Sequence, residues 1–368
     1  KRMIGYIIRR VLFIIPTLFG IMLINFALVQ FVPGGPVEQM IHQFETGSSN
    51  LNLIGGGGGD AGQKESGFQN PKQESTYRGA KGLPEEFIND LERQFGFDKP
   101  PIERFISMMK NYFTFDFGES YFRSIAVTDL VIEKMPVSIS LGLWSTLLAY
   151  LISIPLGIRK AVSDGSNFDT ISSGIIIICY SLPGFLFAII LLVFFAGGSY
   201  YQWFPLRGLT SDNWADLGII ERALDYLWHI TLPVLASTIG SFATLTLLTK
   251  NSFVDEIKKQ YVTTAKAKGL SDTTILYGHI FRNAMLIIIA GFPGLFITAF
   301  FGGSLIIETI FSLDGLGRLG FEAALTRDYP VMFGTLYFFG LLGLIIGLIS
   351  DLVYVLVDPR IDFEGRNS

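Results

Sequence analysis

Six stretches of this 368-residue chain are apolar for long enough to cross a hydrocarbon layer: 11–32, 138–158, 171–197, 230–249, 285–311 and 331–357. A helix needs about 20 such residues to do so. The first four carry no charged side chain, while Glu308 and Asp351 sit near the ends of the fifth and sixth. In lipid a backbone must satisfy its own hydrogen bonds, so each stretch has to be helical. The expected fold class is therefore an all-α integral membrane protein with six transmembrane helices. The composition agrees, with 50% hydrophobic and 16% charged residues. A net charge of −4 gives no footprint for nucleic acid, and the single cysteine, Cys179, cannot form a disulfide within the chain. His42, His229 and His279 are too scattered to suggest a metal site. The first apolar stretch is too long for a cleaved signal and lacks an A-x-A site, so it reads as a span.

Six spans put both termini on one side. Lys1, Arg2, Arg9 and Arg10 flank the first span, Arg159 and Lys160 follow the second, the lysines of 250–268 follow the fourth, and Arg360 and Arg366 follow the sixth. All fall on one face of the six-span scheme. Positive residues are retained in the cytoplasm, so both termini and the loops 159–170 and 250–284 are expected there. Pro16, Pro183, Pro233 and Pro293 lie inside spans. Each removes a backbone hydrogen bond and bends its helix, which suits either a pathway lining or simple packing. Gly343 and Gly347 form a GxxxG, a weak sign of a helix contact.

The chain divides into a first span (1–32), an external segment (33–137), a membrane core (138–357) and a tail (358–368). In the external segment VPGGP stops the span, and residues 46–82 are a Gly-, Ser-, Asn- and Gln-rich run expected to be mobile. Phe87, Ile88, Leu91 and Phe95 form an amphipathic face ended by Gly96, and Pro100-Pro101 opens a second helix containing Phe105, Met109 and Tyr112. FDFGES at 115–120 makes a turn, and 125–135 reads as a short helix stopping before Pro136. Together these predict a small helical cap outside the membrane.

Between the fourth and fifth spans lies a polar insert, 251–284, with Lys258, Lys259, Lys266, Lys268 and Arg282 against Asp255, Glu256 and Asp272. Its pattern is helix, break, helix. Ile257, Tyr261 and Ala265 recur four apart on one helical face, Gly269 suits a left-handed stop, and Ser271 or Asp272 can cap the next helix. Thr264, Ala265, Ala267 and Gly269 around the break are small enough for another backbone to come close. Spacing alone fits a solvated basic loop equally well.

Several chemistries are excluded. No phosphate-binding loop occurs: the nearest pattern, Gly57 to Lys64, reads GGGDAGQK, with Gln63 where Gly-Lys should begin and no strand before it. HExxH, GxSxG and paired catalytic carboxylates are also missing. No catalytic residue is expected, and ATP hydrolysis, if used, must come from another subunit. Glu308 and Asp351 are the only acids a proton-coupled carrier could use. Both lie near span ends, where snorkelling or a salt bridge is the expected role.

The insert resembles a known family. TAKAKGL followed by FRNA is similar to the cytoplasmic loop of permease subunits of ATP-binding-cassette importers, which bears the EAA motif and forms the coupling helix that docks on the ATPase. Thr263 and Thr264 occupy the motif's Glu and first Ala, and Ala265 its second. The peptide-importer form Y-x-x-T-A-x-A-K-G is reproduced by Tyr261, Thr264, Ala265, Ala267, Lys268 and Gly269. One departure is that Met285-Leu286-Ile287 runs on where the family often has a proline. The likeness extends along nearly the whole chain: GYIIRRVLFIIPTLFGIMLINF, VPGGP, GFDKP, FDFGES, PVSISLGL, SLPGFLFAI, IIETIFSLDGLGRLG, RDYP and VDPRIDF. FPLRGL at 204–209 and the Gly-rich run point to the Yej-type branch of B-type peptide permeases.

The resemblance implies the type I importer permease fold in a bacterial inner membrane, pairing with a C-type permease. It also implies two cytoplasmic ATPase subunits (or one fused ATPase) that hold ATP and Mg, an external peptide-binding protein, and no cofactor in this chain. The ATPase-coupling residues would be Thr263, Thr264, Ala265, Ala267, Lys268 and Gly269. For the binding protein the candidate contacts are Trp214, which lies beyond a membrane-interface belt, the tight turn with Asp314, Gly315 and Arg318, and the charges of Arg327 and Asp328. The rival readings are a secondary transporter working without ATP and a membrane-embedded enzyme or scaffold.

Overall fold

Helix length in this chain is set by where the backbone is stopped, not by where the side chains turn polar. The computed structural model describes residues 2–31, 89, 92–93, 97–198, 200–297 and 304–357. The Gly-rich run and all four residues of the amphipathic face, Phe87, Ile88, Leu91 and Phe95, lie outside these residues. The helices are α1 (Arg2–Phe31), α2 (Pro101–Phe113), α3 (Val127–Val162), α4 (Asn167–Ser181), α5 (Gly184–Phe195), α6 (Ile219–Ile257), α7 (Gln260–Ala267), α8 (Asp272–Ile297), α9 (Ser304–Ile310), α10 (Leu316–Thr326) and α11 (Tyr329–Val357). Among the described residues five helices are long and apolar enough to cross a membrane, and six spans result if the bent pair α4–α5 counts as one.

The apolar stretches at 138–158 and 230–249 are the middles of helices of 36 and 39 residues. The separate short helix expected over 125–135 does not form. Val127–Val162 runs through Pro136 and Pro155, because an internal proline removes a single hydrogen bond while the rest of the ladder continues. The third span differs more. Its two halves meet at 93°, and the break falls at Leu182-Pro183. Leu182 is extended (φ −85, ψ 121), the conformation a following proline imposes. The fifth span also shifts. Its helix begins at Asp272, earlier than the expected 285, and is described as far as Ile297; Glu308 lies on α9.

The chain divides into two units. The first comprises residues 1–15, 131–319 and 338–368. In it α6 packs against α4, α5 and α8. One apolar cluster joins Ala149, Ile158, Leu245, Phe253 and Ile288 with Val262 and Ala265. A second joins Leu141, Leu191, Ile230, Val234, Ile307 and Phe311. Both helices α3 and α6 contribute to each cluster, and at Gly157 they approach so closely that a Cβ would lie 2.6 Å from the Thr249 Cβ. Arg10 pairs with Asp351, as the salt-bridge expectation had it.

The second unit comprises residues 16–130 and 320–337. Aromatic rings dominate it: Tyr112 lies 4.6 Å from Phe117 and 5.6 Å from Tyr337, and Phe26 lies 5.3 Å from Phe105. The FDFGES turn forms, with Gly118 at φ +73 and its N–H donated to Asp116 Oδ1 at 3.1 Å. Apolar side chains elsewhere stay uncovered, among them Leu12 at 61% and Ile178 at 66% exposure. Water would penalise such surface, and a bilayer removes the penalty.

Candidate functional site

The polar insert is shorter than its sequence suggests. Residues 251–257 continue α6, and 272–284 already belong to α8, which leaves 258–271 as the connection. The break also falls earlier than the spacing implies. Lys259 is extended (φ −74, ψ 150), so Ile257 ends one helix while Tyr261 and Ala265 ride on the next, α7.

The end of α7 is built as its sequence predicts. Gly269 adopts φ +80; its N–H donates to the Lys266 carbonyl at 2.9 Å, and the Leu270 N–H donates to the Ala265 carbonyl at 3.3 Å. That paired reach-back is the Schellman stop, and the left-handed residue in it is a glycine because a Cβ is penalised there. Ser271 then caps α8 by accepting from the Thr274 N–H. Four residues later α8 takes a π turn, Leu276–Ile280, before continuing as α-helix. Helix persists through Met285-Leu286-Ile287, where the family's proline is missing.

α7 is held down on one side. Val262 and Ala265 are buried in the apolar cluster with Phe253, Ile275 and Ile280. Tyr261 donates its hydroxyl to Glu256 Oε2 at 2.7 Å and accepts from Asn283 Nδ2 at 3.5 Å. Burial raises the Tyr261 phenol above its ordinary range, Asn283 lowers it, and the Glu256 carboxylate raises it again. Lys259 pairs with Glu256, and Lys266 with Asp272 at 3.1 Å, the latter an exposed pair worth about 0–1 kcal/mol. The opposite side is open: Thr263, Thr264, Ala267, Lys268 and Gly269 are all exposed, and so is Leu270. Five of the six predicted coupling residues thus form one free surface. The sixth, Ala265, faces the chain's own core, so it supports the helix from below.

The same unit also holds a polar cluster that sequence reading missed. Lys160, counted there only as a charge flanking a span, is fully buried. Its Nζ donates to the Asp169 carbonyl (2.9 Å), Ser172 Oγ (2.7 Å) and Ser173 Oγ (2.8 Å), and lies 3.0 Å from Asp169 Oδ1. Lys250 reaches Asp169 Oδ2 at 2.7 Å and Asp164 Oδ1 at 2.9 Å. Two cations and two anions therefore tie α3, α4 and α6 together. A buried charge is tolerated only when paired and hydrogen-bonded in this way. The signal was invisible in one dimension because its members are spread over residues 160–250.

The candidate outer contacts are placed unevenly. Trp214 is 37% exposed and stacks with Arg222, whose guanidinium lies 5.0 Å from its ring and donates to the Trp214 carbonyl at 3.1 Å. Asp314 is exposed and pairs with Lys134. Gly315 is buried, and a Cβ there would collide with the Glu308 carboxylate. Glu308 does not snorkel. It is fully buried and accepts from Ser138 Oγ and the Arg318 N–H, each at 2.8 Å, while Ser138 Oγ accepts from the Leu316 N–H at 2.8 Å. In the second unit Asp328 is also buried, accepting from Ser120 Oγ and from the Tyr121 N–H at 3.1 Å. Next to it Arg327 takes a left-handed φ of +59 and is half-buried. Gly315 and Asp328 thus serve the chain's interior, and Asp314 and Trp214 keep exposed surface.

Comparison with known proteins agrees with this geometry. The family model described as "Binding-protein-dependent transport system inner membrane component" matches residues 153–363. The "Peptidoglycan transport system permease protein YejB" of Agrobacterium fabrum is 60% identical over 364 residues, covering 99% of each chain. The "Inner membrane ABC transporter permease protein YejB" of Escherichia coli O157:H7 is 58% identical, over 98% of this chain and 100% of that one. The "Oligopeptide transport system permease protein AppB" of Bacillus subtilis is 31% identical, over 98% and 100%. With more than half of its length matched by that model and two relatives more than half identical from end to end, the chain belongs to the binding-protein-dependent inner membrane components, as a Yej-type permease of the ATP-binding-cassette importers.

Proposed function

We propose that this permease forms half of a pathway that imports peptides, and that it does so as the B-type partner of a C-type permease. The named cargoes of its relatives, oligopeptide for one and peptidoglycan for another, support a peptide or peptide-bearing fragment as substrate. ATP and Mg belong to the partner ATPases, two subunits or one fused chain. A peptide-binding protein outside the membrane delivers the cargo, touching exposed side chains such as Trp214 and Asp314, and the charges of Arg318 and Arg327. Both termini and α7 lie in the cytoplasm.

The observation that carries the reading is the free face of α7. Thr263, Thr264, Ala267, Lys268 and Gly269 are exposed on a short helix whose other side is fastened to the ends of α6 and α8. A helix held in that way moves with the spans it joins. Closure of the ATPases would push on α7 and be felt along both spans, which is how one bistable interface drives alternating access. The test is peptide uptake into proteoliposomes holding the whole complex. Uptake should need ATP and the binding protein, and should ignore an imposed proton gradient. Uptake driven by the proton gradient without ATP would return the secondary-transporter reading.

A further inference from the structure

The helix α2 has two faces that look in opposite directions, and its contacts with α1 show which way each one points. α1 contains the span Ile7–Gln30. Arg104 Nη2 donates to Gln30 Oε1 at 2.9 Å, so this side of α2 reaches the end of the span. Phe105 is the next residue and points elsewhere, because neighbours on a helix stand about 100° apart. Its ring lies between two rings of α1, 5.3 Å from that of Phe26 and 5.6 Å from that of Phe19. Those residues stand four and eleven positions before Gln30, about 6 and 16 Å down the helix at 1.5 Å per residue. Phe105 is therefore about 10 Å below the Gln30 end, inside a hydrocarbon layer about 30 Å thick.

The other side chains of α2 sort by the same geometry. Ile102, Ile106 and Phe113 recur at i, i+4 and i+11, which makes one stripe on the side of the helix away from Arg104. They are 74%, 61% and 70% exposed. With Arg104 directed at the end of the span, this stripe is directed into the layer. Glu103, Ser107, Lys110 and Asn111 occupy the arc between the stripe and Arg104, and all four are exposed. At the level of Phe105, α1 itself leaves Leu23, Ile24 and Leu28 exposed, as a span does where it meets lipid. An apolar stripe beneath a polar arc, with a lysine near the boundary, is the pattern of a helix lying in a membrane interface.

We propose that α2 lies in the leaflet at the Gln30 end of α1, with Ile102, Ile106 and Phe113 among the lipid acyl chains and the arc from Ser107 to Asn111 at the headgroups. This part of the expected cap then belongs to the membrane-embedded body of the protein. Depth favours lipid over a protein that arrives from water, since such a partner meets the polar arc and the stripe faces away from it. Seated there, α2 fixes the depth of the Gln30 end of α1.

The test is nitroxide accessibility, measured on the chain with its partner subunits in lipid nanodiscs, in a Cys179→Ser background. Labels on Ile102→Cys and Ile106→Cys should collide with oxygen, which concentrates among acyl chains, and escape a water-soluble nickel chelate. A label on Ser107→Cys should show the opposite preference. The oxygen-to-nickel ratio is expected to be several-fold higher at residues 102 and 106 than at 107. Leu23→Cys supplies the hydrocarbon reference. Two stripe positions are labelled so that the loss of one variant to misfolding leaves the other. Equal ratios at 106 and 107 would overturn the proposal by placing the stripe in water. Low collision with both reagents at 102 and 106 would overturn it too, since that marks a face covered by protein, such as a helix of the partner permease.

Discussion

At the scale of single residues, the positions that matter most are charges that look out of place. Lys160 sits fully buried among Asp169, Ser172 and Ser173, and Glu308 sits fully buried against Ser138 and the Arg318 N–H. Neither was legible as such, because hydropathy and charge counting treat a lysine after a span as a topology marker and an acid near a span end as a snorkeller. What decides their role is partners far away in sequence. Removing one member of a buried pair leaves the other uncompensated, at about 3–5 kcal/mol. Lys160→Ala is therefore expected to lower the thermal midpoint of the purified complex, because it removes one of the two cations on the buried Asp169, leaves Oδ1 without a partner and keeps only the Lys250 cation, at Oδ2. Arg9→Ala, at an exposed site, should change it little. Equal midpoints for the two variants would show that the cluster contributes no stability.

Elements were legible where a local rule governs them and opaque where tertiary packing does. Gly269 and Ser271 could be assigned from sequence because left-handed stops and N-caps depend on a few neighbouring residues. The apolar middles of the spans were equally plain. The ends were not: α3 and α6 run to 36 and 39 residues because nothing in their polar flanks halts the backbone ladder. The 93° turn at Pro183 was foreseen only as a bend, since sequence gives the lost hydrogen bond but not the direction neighbours then impose. Helix contacts give a sharper prediction. Gly157 has Thr249 where its Cβ would be, so Gly157→Leu should cost about 1–3 kcal/mol through overpacking. The check is a lowered unfolding midpoint, partly recovered by Thr249→Ala. Failure of the second substitution to recover any stability would mean that the two helices are not in contact there.

For the whole molecule, the account requires one orientation in the membrane. In a Cys179→Ser background, Asp212→Cys should react with an impermeant thiol reagent applied from outside intact cells, and Lys258→Cys should react only after the cytoplasmic face is opened. The reverse pattern would invert the topology and remove α7 from the reach of ATPases. Orientation rests on the distribution of Lys and Arg, which sequence displays directly. The division of labour among the exposed residues of α7 does not show in sequence, since Ala265 and Ala267 read alike until the fold buries one and exposes the other. That contrast supplies the most direct measurement of the central claim, that the free face of α7 couples this chain to ATP hydrolysis. Ala267→Trp adds bulk to the exposed face without touching the core or the Gly269 stop. In the reconstituted complex it is expected to insert and assemble normally, keep basal ATPase activity, and lose peptide-stimulated ATPase activity and uptake by at least about tenfold, on the order of 1.4 kcal/mol of coupling. Wild-type stimulation and uptake in the Ala267→Trp complex would contradict the account.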